Sequence, residues 1–293
     1  MRKHKIVLDT DIGTDVDDAM ALALLLGRND VEILGITTVY GDTDLRSKIA
    51  ARYARLMGAE IPIYPGSSET ISGRAVWVSG LEGSLIADLD EERCESRSGV
   101  DFLCEGVAKN PGEIEVVAIG PLTNIAKAIE LDPTFARNVK HLWVMGGEFE
   151  TEFAEHNFRC DDRATKLVMD SGISMTITGL EITKQLRVMR SDLEIIATAG
   201  SMGTLLLAEI DQWLTYRKED FDVPHDPIAI MPMLEPDLFT FSKVGIVEIE
   251  ISDSDLNGKS RFSEQSSGNI RIVQGFQKVE VQREILASIL RAG

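Results

Sequence analysis

Short β-branched apolar runs alternate along the chain with longer stretches whose apolar residues recur at helical spacing. The short runs predict strands over residues 5–8, 31–40, 61–64, 114–119, 141–145 and 174–178. The helical spacing predicts helices between them, over 18–27, 45–57, 99–109, 123–130 and 163–170. These strands are apolar nearly throughout, as strands are when both faces of a parallel sheet are covered. The order reads as an α/β fold with an open, mostly parallel sheet flanked by helices. Beyond Ile182 the pattern changes to helices over 191–199 and 202–216, strand-like pieces at 245–251 and 278–281, and a closing helix over 282–291. Asn257-Gly258, inside the serine-rich stretch 252–267, predicts a hairpin or loop. No repeat and no Pro/Gly/Ser linker divides the chain, so a single domain over 1–293 is expected.

Composition narrows the class. A chain of 293 residues buries a sizeable core without disulfides. The three cysteines, Cys94, Cys104 and Cys160, have no paired spacing and suggest neither a disulfide framework nor a zinc motif. With 48 acidic residues against 30 basic ones, the net charge of −18 argues against nucleic-acid or anionic-membrane partners and is compatible with a bound cation. The apolar run Ile6-Val7-Leu8 is far shorter than the apolar part of a secretion signal, and no stretch reaches membrane-spanning length. A soluble cytoplasmic protein is expected.

Chemistry concentrates at Leu8-Asp9-Thr10-Asp11-Ile12-Gly13-Thr14-Asp15-Val16-Asp17-Asp18-Ala19, where five carboxylates fall within ten residues between a strand and a helix. Carboxylates this close repel one another unless a cation neutralises them. Hard oxygen donors suit Ca²⁺ or Mg²⁺ rather than zinc, and ligands of open α/β sheets bind at the carboxyl ends of strands. Capping of the helix explains one or two of these aspartates, but not Asp9 and Asp11 at an apolar strand end. Taken alone, a strand ending in D-x-D also fits a Mg²⁺-dependent phosphohydrolase similar to the haloacid dehalogenases, with Asp9 as nucleophile.

Three further islands separate these readings. Val116-Val117-Ala118-Ile119-Gly120-Pro121-Leu122-Thr123-Asn124 runs from a strand through a Gly-Pro turn that frees the Ile119 carbonyl from a regular ladder. Met145-Gly146-Gly147 is followed by Glu155-His156-Asn157, polar groups suited to sugar hydroxyls. Val223-Pro224-His225-Asp226-Pro227 sets an imidazole beside a carboxylate. In this order and at these separations, the islands resemble the inosine-uridine nucleoside hydrolase family over nearly the whole chain. The resemblance implies that family's open α/β fold and Ca²⁺-dependent cleavage of the N-glycosidic bond of ribonucleosides to ribose and free base. It implies a small-molecule nucleoside partner and a homodimer or homotetramer. Asp11 would be a Ca²⁺ ligand and the base that deprotonates the attacking water. Asp18, the Ile119 carbonyl and Asp226 would complete the ligand set, with Asp9 orienting them from behind. Asp17 would hold ribose hydroxyls with Asn157 beside it and Glu155 towards the 5′ end, and His225 would sit near the departing base and protonate it.

The chain also departs from the family pattern. Ile12 replaces the proline of D-x-D-P-G-x-D-D, and the loop is two residues longer, which adds Asp15. Asp17-Asp18 is the pair in register, because Ala19 and the helix follow it. Asp42, after Tyr40-Gly41, stands where the family often has asparagine, and an acid there would accept from a ribose hydroxyl. Glu82 lies where a histidine-bearing loop is common, and residues 148–154 form a short segment. Trp213 and Tyr216, with Phe221 nearby, offer faces for stacking on a base or for packing. Cys160 reads as a buried thiol, Asp161 as a loop or cap residue and residues 88–92 as a solvated acidic surface. A third reading, a nucleoside-binding protein without turnover, is opposed by the intact set Asp11, Asp18, Asp226 and His225.

Overall fold

The computed structural model describes residues 3–293; Met1 and Arg2, which begin the basic N-terminal run, lie outside it. Its parallel heart comprises β1 (His4–Thr10), β2 (Val31–Thr38), β3 (Ile63–Pro65), β4 (Ile114–Ala118), β5 (His141–Met145) and β6 (Met175–Thr178). These strands lie in the spatial order β6-β5-β4-β1-β2-β3. A small ribbon of β7 (Val188–Met189) with β8 (Phe221–Asp222) follows. The chain returns to the sheet through β9 (Phe239–Phe241), β10 (Gly245–Ile249), β11 (Ser260–Glu264) and β12 (Ile270–Phe276). Strand β12 joins β6 in parallel, whereas β9, β10 and β11 add an antiparallel margin, giving ten strands.

The helices are α1 (Asp17–Leu26), α2 (Thr43–Leu56), α3 (Gly99–Lys109), α4 (Thr123–Leu131), α5 (Phe135–Asn138), α6 (His156–Cys160), α7 (Asp162–Met169) and α8 (Leu180–Thr183). After them come α9 (Arg190–Leu193), α10 (Gly200–Arg217), α11 (His225–Leu234) and α12 (Lys278–Ala292). One core lies between the sheet and α1, α2, α10, α11 and α12; a second lies between the opposite face and α3, α4, α5 and α7. All five residues of β4 are buried, as a strand covered on both faces requires. Helix α1 is buried from Asp17 to Leu25 because α11 and α12 cover the side that the sheet leaves open.

The expected strands and helices up to residue 178 are found with shifts at their ends. Residues 191–199 become the end of α9 and a 3₁₀ turn over Glu194–Thr198. Asn257-Gly258 lies in the turn between β10 and β11, so residues 252–267 form a hairpin connection with β11. The strand expected at 278–281 is corrected: these residues are the first turn of α12. Lys-Val-Glu-Val alternates like a strand, yet Val281 starts a buried stripe with Ile285, Ser288 and Ile289 while Val279 stays exposed. Helical spacing over the longer segment outweighs a four-residue alternation.

The chain leaves β1 towards β2 and β3 and then crosses back to place β4 on the other side of β1. A crevice opens outside the carboxyl ends of strands at such a reversal, where ligands of open sheets bind. Asp9, Thr10 and Asp11 leave β1 there, and Ile119 leaves β4.

Candidate active site

A cavity of about 920 Å³ opens at this crevice, lined by Asp11, Asp17, Asp18, Ile119, Glu155, Asn157, His225 and Asp226 among others. Its floor is made by two helix starts. Asp17 and Asp18 occupy the first turn of α1, Asp226 the first turn of α11, and the Asp226 amide donates to Asp17 Oδ2 at 3.2 Å. The positive ends of both helices favour carboxylates there. One oxygen from each of Asp17, Asp18 and Asp226 falls within a mutual 4.8 Å, and all three residues are buried. Burial, and then the charges of Asp11 and Asp17 on Asp18 and of Asp17 and Asp18 on Asp226, push both well above the usual carboxylate range. Asp17 rises to about 8 by burial and by the charge of Asp222. A floor of hard oxygens that resist ionising together fits a divalent cation, whose charge would offset that repulsion.

Asp11 lines the cavity outside that close group, near enough for its charge to raise both Asp18 and Asp226. Its position depends on Gly120: a Cβ there would meet Asp11 Oδ1 at 2.7 Å and Val39 Cγ1 at 2.9 Å. The extra loop residue Asp15 also lines the cavity, but its Oδ1 accepts from the Val16 amide at 2.6 Å and it stands outside the close group, in keeping with the Asp17-Asp18 register. The Ile119 carbonyl accepts from Asn157 Nδ2 at 2.9 Å rather than from a strand, which leaves a lone pair for a ligand. The Asn157 amide group also reaches the Met145 carbonyl at 3.2 Å, so its Oδ1 is the atom left for substrate. Glu155 caps α6 by accepting from the amides of Asn157, Phe158 and Gly147.

His225 Nδ1 is hydrogen-bonded to the Thr183 hydroxyl at 2.7 Å, leaving Nε2 for the cavity. Burial, reinforced by the charges of Lys184 and Arg217, lowers its pKa to about 4, so the ring is neutral at pH 7. Asp9 is fully buried behind the floor; its Oδ1 accepts from Thr37 Oγ1 at 2.5 Å and from Asn124 Nδ2 at 2.7 Å. Burial raises it to about 7. Asp42 is not brought to the cavity: exposed, it caps α2 by accepting from the Leu45 amide at 2.9 Å. Glu82 binds the Thr14 hydroxyl and the Ser79 amide, tying two loops together. Asp161 caps α7 and holds the amides of Ile71 and Ser72 and the hydroxyl of Thr123. Trp213 lines the cavity, whereas Tyr216, stacked on it, and Phe221 do not.

Sequence reasoning missed several residues. Arg46 is buried on α2 and donates to the carbonyls of Tyr40, Asp11 and Ile12, fixing the acidic loop without bonding its carboxylates. Asn124, quoted in its island but given no role, ties Asp9 to the Thr38 carbonyl and the Ser67 amide. Thr183 and Lys184 carried no spacing signal: at the end of α8, Lys184 lines the cavity and Thr183 acts through His225, while His156, quoted with its island but given no role, lines the cavity from the start of α6.

Comparison with known proteins matches this arrangement. The model of the family "Inosine-uridine preferring nucleoside hydrolase" matches residues 6–283. The chain belongs to that family. It is therefore a hydrolase of ribonucleoside N-glycosidic bonds, and the phosphohydrolase reading of the D-x-D strand end is not favoured. It is similar to uridine nucleosidase 1 of Arabidopsis thaliana, at 34% identity over 85% of this chain and 79% of the relative. The pyrimidine-specific ribonucleoside hydrolase RihB of Escherichia coli is 26% identical over 89% of this chain and 87% of the relative. Among solved structures, the plant nucleoside hydrolase PpNRh1 superposes with a TM-score of 0.88 at 26% identity, covering 98% of each chain. Among the described residues, no helix is long and apolar enough to cross a membrane.

Proposed function

We propose that this hydrolase works with Ca²⁺ held by Asp11, Asp18, the Ile119 carbonyl and Asp226, and that its substrate is a pyrimidine ribonucleoside, uridine first. The observation that carries the metal is the buried oxygen group of Asp17, Asp18 and Asp226 at the sheet's switch point. The substrate rests on relatives named uridine nucleosidase and pyrimidine-specific ribonucleoside hydrolase. Ca²⁺ accepts six to eight oxygens, so these protein atoms leave room for water and ribose hydroxyls, and a bound divalent cation orients the sugar and makes water a stronger acid.

The remaining work belongs to the protein. Asp17, beside the ligands, accepts from the ribose hydroxyls, and Asn157 Oδ1 accepts alongside it. Asp11, at the mouth of β1, takes the proton of the attacking water. The C1′–N bond breaks through an oxocarbenium-like state, which the surrounding carboxylates stabilise. His225 is neutral and bonded at Nδ1 to Thr183, so its Nε2–H acts on the base as a hydrogen-bond donor when Thr183 donates to Nδ1. Asp9, Asn124 and Thr37 hold the strand exit from behind. The same reading carries a single catalytic domain over 1–293, working as a homodimer or homotetramer in the cytoplasm.

The test is a panel of uridine, cytidine, inosine and adenosine scored for free ribose. Uridine turnover with Asp11→Ala reduced by about 10³-fold or more is the expected result, the general-base contribution and the metal ligand being lost together. Hydrolysis retained in Asp11→Ala removes that residue from the base role. Phosphate release from nucleotides without ribose release from nucleosides overturns the reading as a whole.

A further inference from the structure

The cavity wall beside His225 carries two cations that the steps above leave without a role. Lys184 directly follows Thr183, and its ammonium lies 5.3 Å from the centre of the Phe153 ring. Arg217 ends α10, with its guanidinium carbon 5.8 Å from the centre of the Trp213 ring. All four side chains line the cavity, and both charges reach His225 across it. The aromatic faces place the cations without neutralising them. Arg217 also pairs with Glu219 at 3.4 Å, which accounts for part of its position. Lys184 makes no salt bridge among the described residues, and its charge faces the cavity of a protein whose net charge is −18.

On its His225 side the cavity is thus charge-separated, while Arg74, paired with Asp162, and Arg159 line it elsewhere. Buried carboxylates form the floor where ribose would lie, and two cations stand on the wall beside His225, where the base would leave. A field in that direction stabilises the charge separation of heterolytic C1′–N cleavage, with the ribosyl side becoming positive and the base negative. Resting on the hydrolase reading, we propose that Lys184 and Arg217 stabilise the departing base as its anion and favour bases whose carbonyl oxygens carry that charge. When the bond breaks, both electrons stay on the ring nitrogen. The ribosyl carbon takes hydroxide from water, the released proton passes to Asp11, and the base anion is reprotonated from solvent after it leaves. Uracil spreads the negative charge onto two carbonyl oxygens, whereas cytosine keeps one of them and has an amino group in place of the other.

The experiment compares wild type with Lys184→Met and Arg217→Met on uridine, cytidine and 4-nitrophenyl β-D-ribofuranoside, whose leaving group departs without assistance. A lost transition-state donor in a closed site typically costs 10²–10³-fold. At this open wall, where water weakens the field, each variant is expected to lose about 10-fold in kcat/KM on uridine. The losses on cytidine and on the nitrophenyl riboside are expected to stay below about 3-fold, the scale of exposed charge effects. Lys184→Arg is expected to recover most of the uridine activity, and melting temperatures should match wild type. Parallel losses on uridine and the nitrophenyl riboside would indicate a merely structural role and overturn the proposal, as would unchanged uridine activity. Wild-type protein that cleaves none of the three substrates overturns the pyrimidine-nucleoside reading and this inference with it.

Discussion

Replacing Gly120 by alanine tests how closely β1 and β4 must approach at the switch point. The added Cβ would sit 2.7 Å from Asp11 Oδ1, 2.9 Å from Val39 Cγ1 and 3.1 Å from the Asp11 amide nitrogen. Ordinary contact begins near 3.4 Å, so Asp11 has to retreat by about 0.7 Å. The backbone amide gives less readily than a side chain, because Arg46 holds the Asp11 and Ile12 carbonyls from the other side. Overpacking of this kind typically costs ~1–3 kcal/mol of stability. A catalytic group misplaced by about 1 Å loses up to ~10²-fold, so kcat should fall ~10-fold or more while KM changes little. The assay is ribose release from uridine under saturating and limiting substrate, together with urea unfolding. Gly106→Ala is the control: its nearest neighbour would be Ile114 Cδ1 at 3.9 Å, and a helical alanine should add about 0.5–1 kcal/mol. Wild-type kcat and stability in Gly120→Ala would refute the close-approach argument.

Asn124→Leu should cost about 3 kcal/mol in urea unfolding, because it strands the Asp9 carboxylate, the Thr38 carbonyl and the Ser67 amide in the interior; a loss under 1 kcal/mol would contradict this. Thr183→Val should lower kcat on uridine about 10-fold with KM nearly unchanged, since His225 loses the bond that sets its tautomer, and an unaltered kcat would show that ring orientation does not depend on it. Metal removal should act most at high pH. Folding without a cation raises Asp17 from 3.8 to about 8, so the stability from its protonated form is complete below pH ~4 and lost as pH rises through about 8. A cation favours the charged form, so the rise in melting temperature on adding Ca²⁺ to chelator-treated protein should be larger at pH 8 than at pH 5; equal shifts would count against these carboxylates as the site.

The parallel half of the fold was legible because β1, β2, β4, β5 and β6 are apolar runs that only a doubly covered sheet accommodates. The C-terminal half was less so. Strand β12 carries Arg271, Gln274 and Gly275, which break up its apolar pattern, and its partners β6 and β10 are set by tertiary pairing. Helix α11 was hidden by Pro224, Pro227 and Pro232, although a proline in the first turn is compatible with a helix and Pro232 lies just before its end. Clustering made Asp11, Asp17 and Asp18 visible, because such carboxylates are costly without a counter-charge. Asp226, more than two hundred residues away, became readable through the His225-Asp226-Pro227 island. Arg46, Thr183 and Lys184 escaped notice for a common reason: each acts through backbone atoms or one remote partner, which leaves no local pattern, and Asn124 was visible in its island without a role because its partners lie on other segments. Asp42 shows the opposite error, a carboxylate adjacent in sequence to a site motif that serves as a helix cap.

In the proposed function, buried carboxylates from the starts of α1 and α11 hold the cation on which nucleoside hydrolysis depends. The decisive measurement is ribose release from uridine by chelator-stripped protein, followed as Ca²⁺ is returned. Stripping should abolish turnover, Ca²⁺ should restore it to wild type, and Asp226→Asn should recover little at the same concentration. Full activity in the stripped protein, or full recovery in Asp226→Asn, would contradict this role.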